Sequence, residues 1–211
     1  MTSEQVLEFF KNTGGYIADS HIVYTSGKHG SAYLNKDAIY PHTSLVSELC
    51  KAFAQEFKGK GIEAVAAPAL GGIILSQWTA HHLSLMEKRE ILAVYTEKTP
   101  DNGQVFTRGY DKCVAGKKVL VVEDILNTGG SVRKVVDAVR HAGGTAVAAA
   151  ALVNRGRVTS EDVGEVPLFT LASISLEAWD EHECHLCTQG IPVNTAVGKG
   201  REYLKKKDKM I

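Results

Sequence analysis

The sequence predicts an α/β protein built on a parallel sheet with helices on both faces. Three observations lead there. Short, almost wholly apolar runs recur at residues 62–67, 91–95, 119–122, 145–153 and 168–174, without the polar alternation of a half-exposed strand. Helical periodicity lies between several of these runs. Glycine pairs mark the junctions, at Gly71-Gly72, Gly129-Gly130 and Gly143-Gly144.

Taken in order, a first helix covers about residues 4–12, with Thr2 or Ser3 as cap and Gly14-Gly15 as stop. Residues 16–40 are mixed, with short β-like pieces around 21–24 and 32–34. A second helix fits 43–58, where Val46, Leu49, Phe53 and Phe57 share a face. The run 62–67 ends at Pro68, and Gly71-Gly72 open a helix reaching about Leu85, with Trp78 and Met86 as packing residues. After the strand 91–95, residues 96–116 are polar and read as a long loop or hairpin. The strand 119–122 ends in Glu123-Asp124. Gly129-Gly130-Ser131 then open a helix with Val132, Val135, Val136 and Val139 on one face. In such sheets ligands bind beyond the carboxyl ends of the strands. Here those ends are 67–72, 95–98, 123–131 and Asn154-Arg155, which should line one crevice. The expected organisation is one domain over 1–211, with a core of about 41–175. The segments 1–40 and 176–211 fall outside the regular pattern and suit a lid.

Composition excludes several classes. The 24 basic and 24 acidic residues cancel, so no electrostatic footprint for nucleic acid or an anionic membrane exists. An apolar content of 44% supports a real core. No apolar run approaches the roughly 20 residues of a membrane span, and Met1-Thr-Ser-Glu does not resemble a secretory leader. Four cysteines are too few for a disulfide framework. The expectation is a reduced, cytoplasmic protein.

The segment VLVVEDILNTGGS, residues 119–131, carries the most chemistry. A buried strand delivers Glu123 and Asp124, and a Thr-Gly-Gly-Ser turn starts a helix. Free N–H groups at a helix start bind phosphate. Thr128 and Ser131 add hydroxyl donors, and the glycines permit close approach. Carboxylates beside such a nest suit ribose hydroxyls or a hydrated magnesium ion. The turn alone could be a plain helix cap; with the paired acids the combination reads as a ribose-phosphate site. No GxxxxGK[ST] or GxGxxG motif occurs.

This segment resembles the phosphoribosyl-diphosphate (PRPP) motif of the type I phosphoribosyltransferases, and over most of the chain the similarity is to the orotate phosphoribosyltransferase family. Tyr24-Thr-Ser26-Gly27-Lys28-His29 with Tyr33 resembles that family's N-terminal segment. Residues 67–73 resemble its diphosphate loop, and Glu183-Cys184-His185-Leu186-Cys187 with Gly190-Ile191-Pro192 a C-terminal segment of one branch. Together they span about residues 15–200.

The resemblance implies the type I phosphoribosyltransferase fold, with a small hood from the N- and C-terminal segments. It implies transfer of phosphoribose from PRPP to orotate, through a transition state with oxocarbenium character. It places Glu123 and Asp124 at the ribose, Asn127, Thr128, Gly129, Gly130 and Ser131 around the 5′-phosphate, Ile125 and Leu126 within the same PRPP-binding stretch, and Leu70, Gly71 and Gly72 at the diphosphate. Mg2+ is expected through PRPP and water, with no protein ligand cage. Residues 96–110 correspond to a loop that closes over diphosphate. Its cation is Lys98, with Arg108 second; the family's common Lys-x-x-Lys-x-His-Gly loop is absent, so either can be a surface charge. Base contacts fall on Thr25, Lys28, Tyr33, Asn127 and Arg155. A lysine is frequent in the family at position 25 and a threonine at position 127. These departures keep open a different base or a non-catalytic PRPP sensor. A homodimer with a shared active site is implied.

The remaining features read blandly. Cys184-x-x-Cys187 flanked by His182 and His185 invites zinc, but four ligands within six residues cannot easily wrap one ion. Reduced thiols in a lid turn are expected instead. His81, His82 and His141 read as helix-surface residues, His29 as either a ligand contact or a structural group, and residues 205–209 as a solvated tail.

Overall fold

Small apolar side chains build the central sheet. In a computed structural model residues 1–207 are described. In chain order the elements are α1 (Ser3–Asn12), β1 (Tyr16–Ile17), β2 (Ile22–Val23), β3 (His29–Gly30), β4 (Tyr33–Leu34), α2 (Thr43–Phe57), β5 (Ala64–Pro68), α3 (Gly71–Glu87), β6 (Leu92–Lys98), β7 (Gln104–Val105), α4 (Asp111–Val114), β8 (Lys118–Leu126), α5 (Gly130–His141), β9 (Thr145–Asn154), β10 (Leu168–Ser173), α6 (His185–Thr188) and α7 (Gly200–Lys207). The chain divides into two units. One comprises Met1–Val6 and Tyr40–Ile174, the other Leu7–Ile39 and the chain from Ser175 onward.

The first unit is a mixed α/β structure. Its six strands run β10-β9-β8-β5-β6-β7, all neighbours parallel except the β6–β7 hairpin. Every residue of β5 is buried. Side chains alternate across the sheet: Ala64, Ala66, Val119, Val121, Ala149 and Ala151 share a core with Val132, Val135, Val136 and Val139 of α5. Burying each such valine contributes about 1.5–3 kcal/mol. α2 buries Val46, Leu49, Phe53 and Phe57, and the two phenylalanines meet Phe169 of β10 edge-on at 6.5 and 6.1 Å.

Topology positions the crevice. From β5 the chain passes through α3 to β6 on one side; from β8 it passes through α5 to β9 on the other. The winding therefore reverses between β5 and β8, which is where an open α/β sheet leaves a crevice beyond its strand ends.

Two expectations are corrected. The strand expected over 119–122, with its acids at an exposed end, continues as β8 to Leu126. Its neighbour β9 is long enough to pair Glu123 with Ala151, Ile125 with Val153 and Leu126 with Asn154, so the acids lie inside the strand. The strand expected over 91–95 likewise runs on to Lys98, because β7 folds back on it with Lys98 opposite Gln104. The polar stretch that follows is an ordered hairpin plus the short α4, not a plain loop.

The second unit interleaves both ends of the chain. β1 pairs with β4 and β2 with β3, both antiparallel. His21 bridges to Val193 and His29 to Trp179, and the Lys199 N–H donates to the Val23 carbonyl at 2.7 Å. A side chain at Gly30 would overlap the Tyr24 ring, whose hydroxyl donates to the Ala32 carbonyl at 2.6 Å. Lys205 to Lys207 lie in α7, and Lys209 of the expected tail lies outside the described residues.

Candidate active site

The site of the first unit is built on the switch point. Glu123 and Asp124 are 8% and 2% exposed. Burying carboxylates is costly unless their oxygens are satisfied. The Glu123 Oε1 accepts the Asp124 N–H at 3.0 Å, and the Asp124 Oδ1 accepts the Ile125 N–H at 2.7 Å. The other Asp124 oxygen, Oδ2, accepts the Tyr40 hydroxyl at 2.7 Å. Tyr40 was not legible as a site residue, since a lone tyrosine before a proline carries no motif.

Two helices start at this end of the sheet. α5 begins after Gly129, at φ 75°, and α3 after Leu70; neither has a side-chain cap. Gly129 is required twice over. Its backbone is left-handed, and a Cβ there would stand 2.9 Å from Val158 Cγ1 and 3.0 Å from the Asp162 carbonyl oxygen. Gly71, the first residue of α3, lies so close to the acid that a Cβ would stand 2.5 Å from Asp124 Oδ2 and against the Tyr40 hydroxyl. The Ala69–Leu70 peptide is cis, and Leu70 is 83% exposed. The α3 N-terminus, with the positive end of its helix dipole, thus stands against the Asp124 carboxylate, and the α5 N-terminus opens at the end of the same strand that carries the acids. That arrangement can hold two anionic groups with a polyol between them.

A family model described as the phosphoribosyl transferase domain matches residues 35–181. The orotate phosphoribosyltransferase of Desulforamulus reducens is 34% identical over 192 residues, covering 91% of this chain and 95% of that protein. That of Caldicellulosiruptor bescii is 35% identical over 195 residues, covering 92% and 96%. The chain belongs to the orotate phosphoribosyltransferase family. The fold agrees: the crystal structure of the Aeropyrum pernix orotate phosphoribosyltransferase has a TM-score of 0.63 at 23% identity, over 80% of this chain and 93% of that one.

Within this phosphoribosyltransferase the expected PRPP residues, Leu70 to Gly72 and Glu123 to Ser131, lie at the adjoining ends of β5 and β8. Thr128 is exposed, and its hydroxyl accepts the Gly130 N–H only at 3.4 Å. Asn127 and Arg155 are brought together. The Arg155 and Gly156 N–H groups both donate to the Leu126 carbonyl, at 2.9 and 3.0 Å, and a side chain on Gly156 would overlap the Asn127 carbonyl.

The two loop cations differ in setting. Arg108 donates through Nε to Glu97 Oε1 at 3.0 Å, and this partner raises its pKa. Lys98 is exposed and has no ion-pair partner among the described residues. Its hairpin is held by Thr96, whose hydroxyl donates to Gln104 Oε1 at 2.8 Å, and by Lys134 of α5, which donates to the Asn102 carbonyl at 2.5 Å.

Thr25, Lys28 and Tyr33 belong to the second unit. Thr25 and Lys28 are exposed at the β2–β3 turn, and the Lys28 Nζ lies 3.3 Å from Asp180 Oδ2. Tyr33 pairs with Ile17 across the β1–β4 ladder. In the same unit the two histidines that flank the cysteine pair in sequence turn away from it. His182 is 80% exposed, and the His185 ring packs edge-on against Trp179 at 4.3 Å.

Proposed function

We propose that the chain transfers the 5-phosphoribosyl group of PRPP to orotate, giving orotidine 5′-monophosphate and diphosphate as a step of pyrimidine nucleotide biosynthesis. The observation that carries the reading is the buried Glu123–Asp124 pair with the α3 start packed against Asp124 and the α5 start opening at the end of the same strand. The α5 start holds the 5′-phosphate, and the α3 start holds the diphosphate through backbone N–H groups. Asp124 and Glu123 accept hydrogen bonds from the ribose hydroxyls and stabilise positive charge developing on the ring. Lys98 neutralises the departing diphosphate, the role for which an unpaired cation is suited. Asn127 offers a donor and an acceptor to the base, and Arg155 pairs with the orotate carboxylate. The resemblance assigns further base contacts to Thr25, Lys28 and Tyr33, for which a raised KM for orotate in Lys28→Ala is the check.

Mg2+ would supply charge neutralisation on the diphosphate. The all-oxygen acid pair suits a hard cation approached through water and substrate oxygens. For the homodimer with a shared active site that the resemblance implies, Ile74, Trp78, His81 and Leu85 offer a contact surface. They recur at helical spacing on α3, with Ile74 37% and Leu85 64% exposed. Sedimentation showing a stable monomer at micromolar concentration counts against it. The four free thiols suit a reducing, cytoplasmic setting.

The test mixes protein, PRPP, Mg2+ and orotate, and follows orotate absorbance with a parallel diphosphate assay. Orotate loss matched by diphosphate establishes the reaction. No turnover with PRPP binding intact moves the reading to another base, for which Thr25 and Asn127 are the motivating departures and a base panel the next assay. Absent PRPP binding refutes the assignment of residues 123–131.

A further inference from the structure

Four side chains from distant parts of the sequence meet inside the second unit. They are His21, His29, Cys184 and Cys187, and one ligand-capable atom from each lies within 4.8 Å of all the others. His21, His29 and Cys184 are 2%, 0% and 0% exposed. The Cys187 Sγ lies 3.6 Å from His21 Nε2 and 3.3 Å from His29 Nδ1. The Cys184 Sγ lies 3.6 Å from His21 Nε2, and the two ring nitrogens lie 2.8 Å apart. The cysteines are not bonded to each other.

These lengths match a metal polyhedron. Zinc bonds of about 2.3 Å to sulfur and 2.0–2.1 Å to nitrogen give tetrahedral N–S edges of about 3.6 Å and an N–N edge of about 3.3 Å. Two of the three N–S separations, at 3.6 Å, already have that size; the third, at 3.3 Å, and the N–N pair, at 2.8 Å, are closer. The ring of His21 is also oriented as a ligand. Its Nδ1 faces the Ile191 carbonyl at 2.7 Å. A carbonyl cannot donate, so Nδ1 carries the proton and Nε2 presents a bare lone pair to the cluster. Such an outer hydrogen bond is what sets the tautomer of a metal-bound histidine. The His29 Nε2 is buried with no hydrogen-bond partner among the described residues, so the polar partners of that ring stand on its Nδ1 side, in the cluster.

We propose that His21 Nε2, His29 Nδ1, Cys184 Sγ and Cys187 Sγ bind one zinc ion. Four protein ligands leave no open position, so the site is structural. Two ligands bracket the β2–β3 turn that bears Thr25 and Lys28, and two lie at the start of α6. The ion therefore ties the two ends of the chain together within the second unit. The local argument against zinc, that one six-residue stretch cannot wrap an ion, does not apply, because half the ligands come from more than 150 residues away.

The test uses the full chain, purified without a histidine tag, and needs no assay of transfer, so its outcome is independent of the proposed reaction. Metal analysis after dialysis should find about one zinc per chain, and the Cys184→Ser/Cys187→Ser double variant below about 0.1, with His182→Ala unchanged. Chelation under reductant followed by Co2+ should give the intense visible absorption of tetrahedral thiolate–imidazole coordination. That spectrum decides the matter on the unaltered chain should the double variant fail to fold. Zinc content below about 0.1 per chain with no cobalt spectrum overturns the proposal. So does equal metal in the double variant, or a Cys184–Cys187 disulfide in freshly isolated metal-free protein.

Discussion

Replacing Tyr40 by phenylalanine probes the site at one bond. The Tyr40 hydroxyl donates to Asp124 Oδ2 at 2.7 Å, and Asp124 is 2% exposed. Tyr40→Phe keeps the ring and removes a donor from a buried carboxylate. A hydrogen bond to a charged group contributes about 1.5–3 kcal/mol. For a chain of this size each kcal/mol moves the thermal midpoint by about 2–4 °C, so the expected drop is about 3–12 °C. If the hydroxyl also orients Asp124 for the ribose, kcat/KM for PRPP should fall by about 10- to 150-fold, the same free energy read as a rate. The assays are differential scanning calorimetry without ligand and initial rates across PRPP concentrations at saturating orotate. A midpoint within about 1 °C of the parent, together with kcat/KM within about twofold, would refute the view that this bond holds the acid in place.

Three further outcomes follow from the geometry. Lys98→Ala should lower kcat far more than Arg108→Ala, because Arg108 is already engaged by Glu97; equal losses in steady-state rates would remove that distinction. Gly129→Ala should cost at least about 1 kcal/mol in denaturant titration and weaken PRPP binding by calorimetry, since a Cβ meets Val158 and Asp162 at a left-handed residue. Burial pushes the Cys50 thiol up to about 12, leaving about one thiolate in ten thousand at pH 8. Iodoacetamide with mass spectrometry should therefore find Cys50 unmodified in the native protein while the partly exposed Cys113 reacts.

How much of this was legible depends on how far apart the interacting residues lie. The residues 119–131 announce a ribose-phosphate site because strand, acids, turn and helix start are contiguous, so a local pattern encodes the whole device. The apolar runs and the valine stripe of α5 likewise reveal sheet and helix through their periods. Chain order even marks the strand ends that border the crevice. Strand ends were less legible: β8 runs past Glu123 only because β9 offers partners there, and pairing is a property of the neighbour.

What the sequence by itself determined is the parallel α/β core, the family and the acid-and-glycine segment. Only the tertiary structure set Tyr40 on Asp124, 84 residues apart in sequence, separated the engaged Arg108 from the unpaired Lys98, and gathered two histidines of the N-terminal segment around Cys184 and Cys187. The physical reason is the same in each case. A contact across a long loop leaves no period and no spacing in the chain, because its cost in loop entropy grows only slowly with length, and the fold can draw its partners from anywhere.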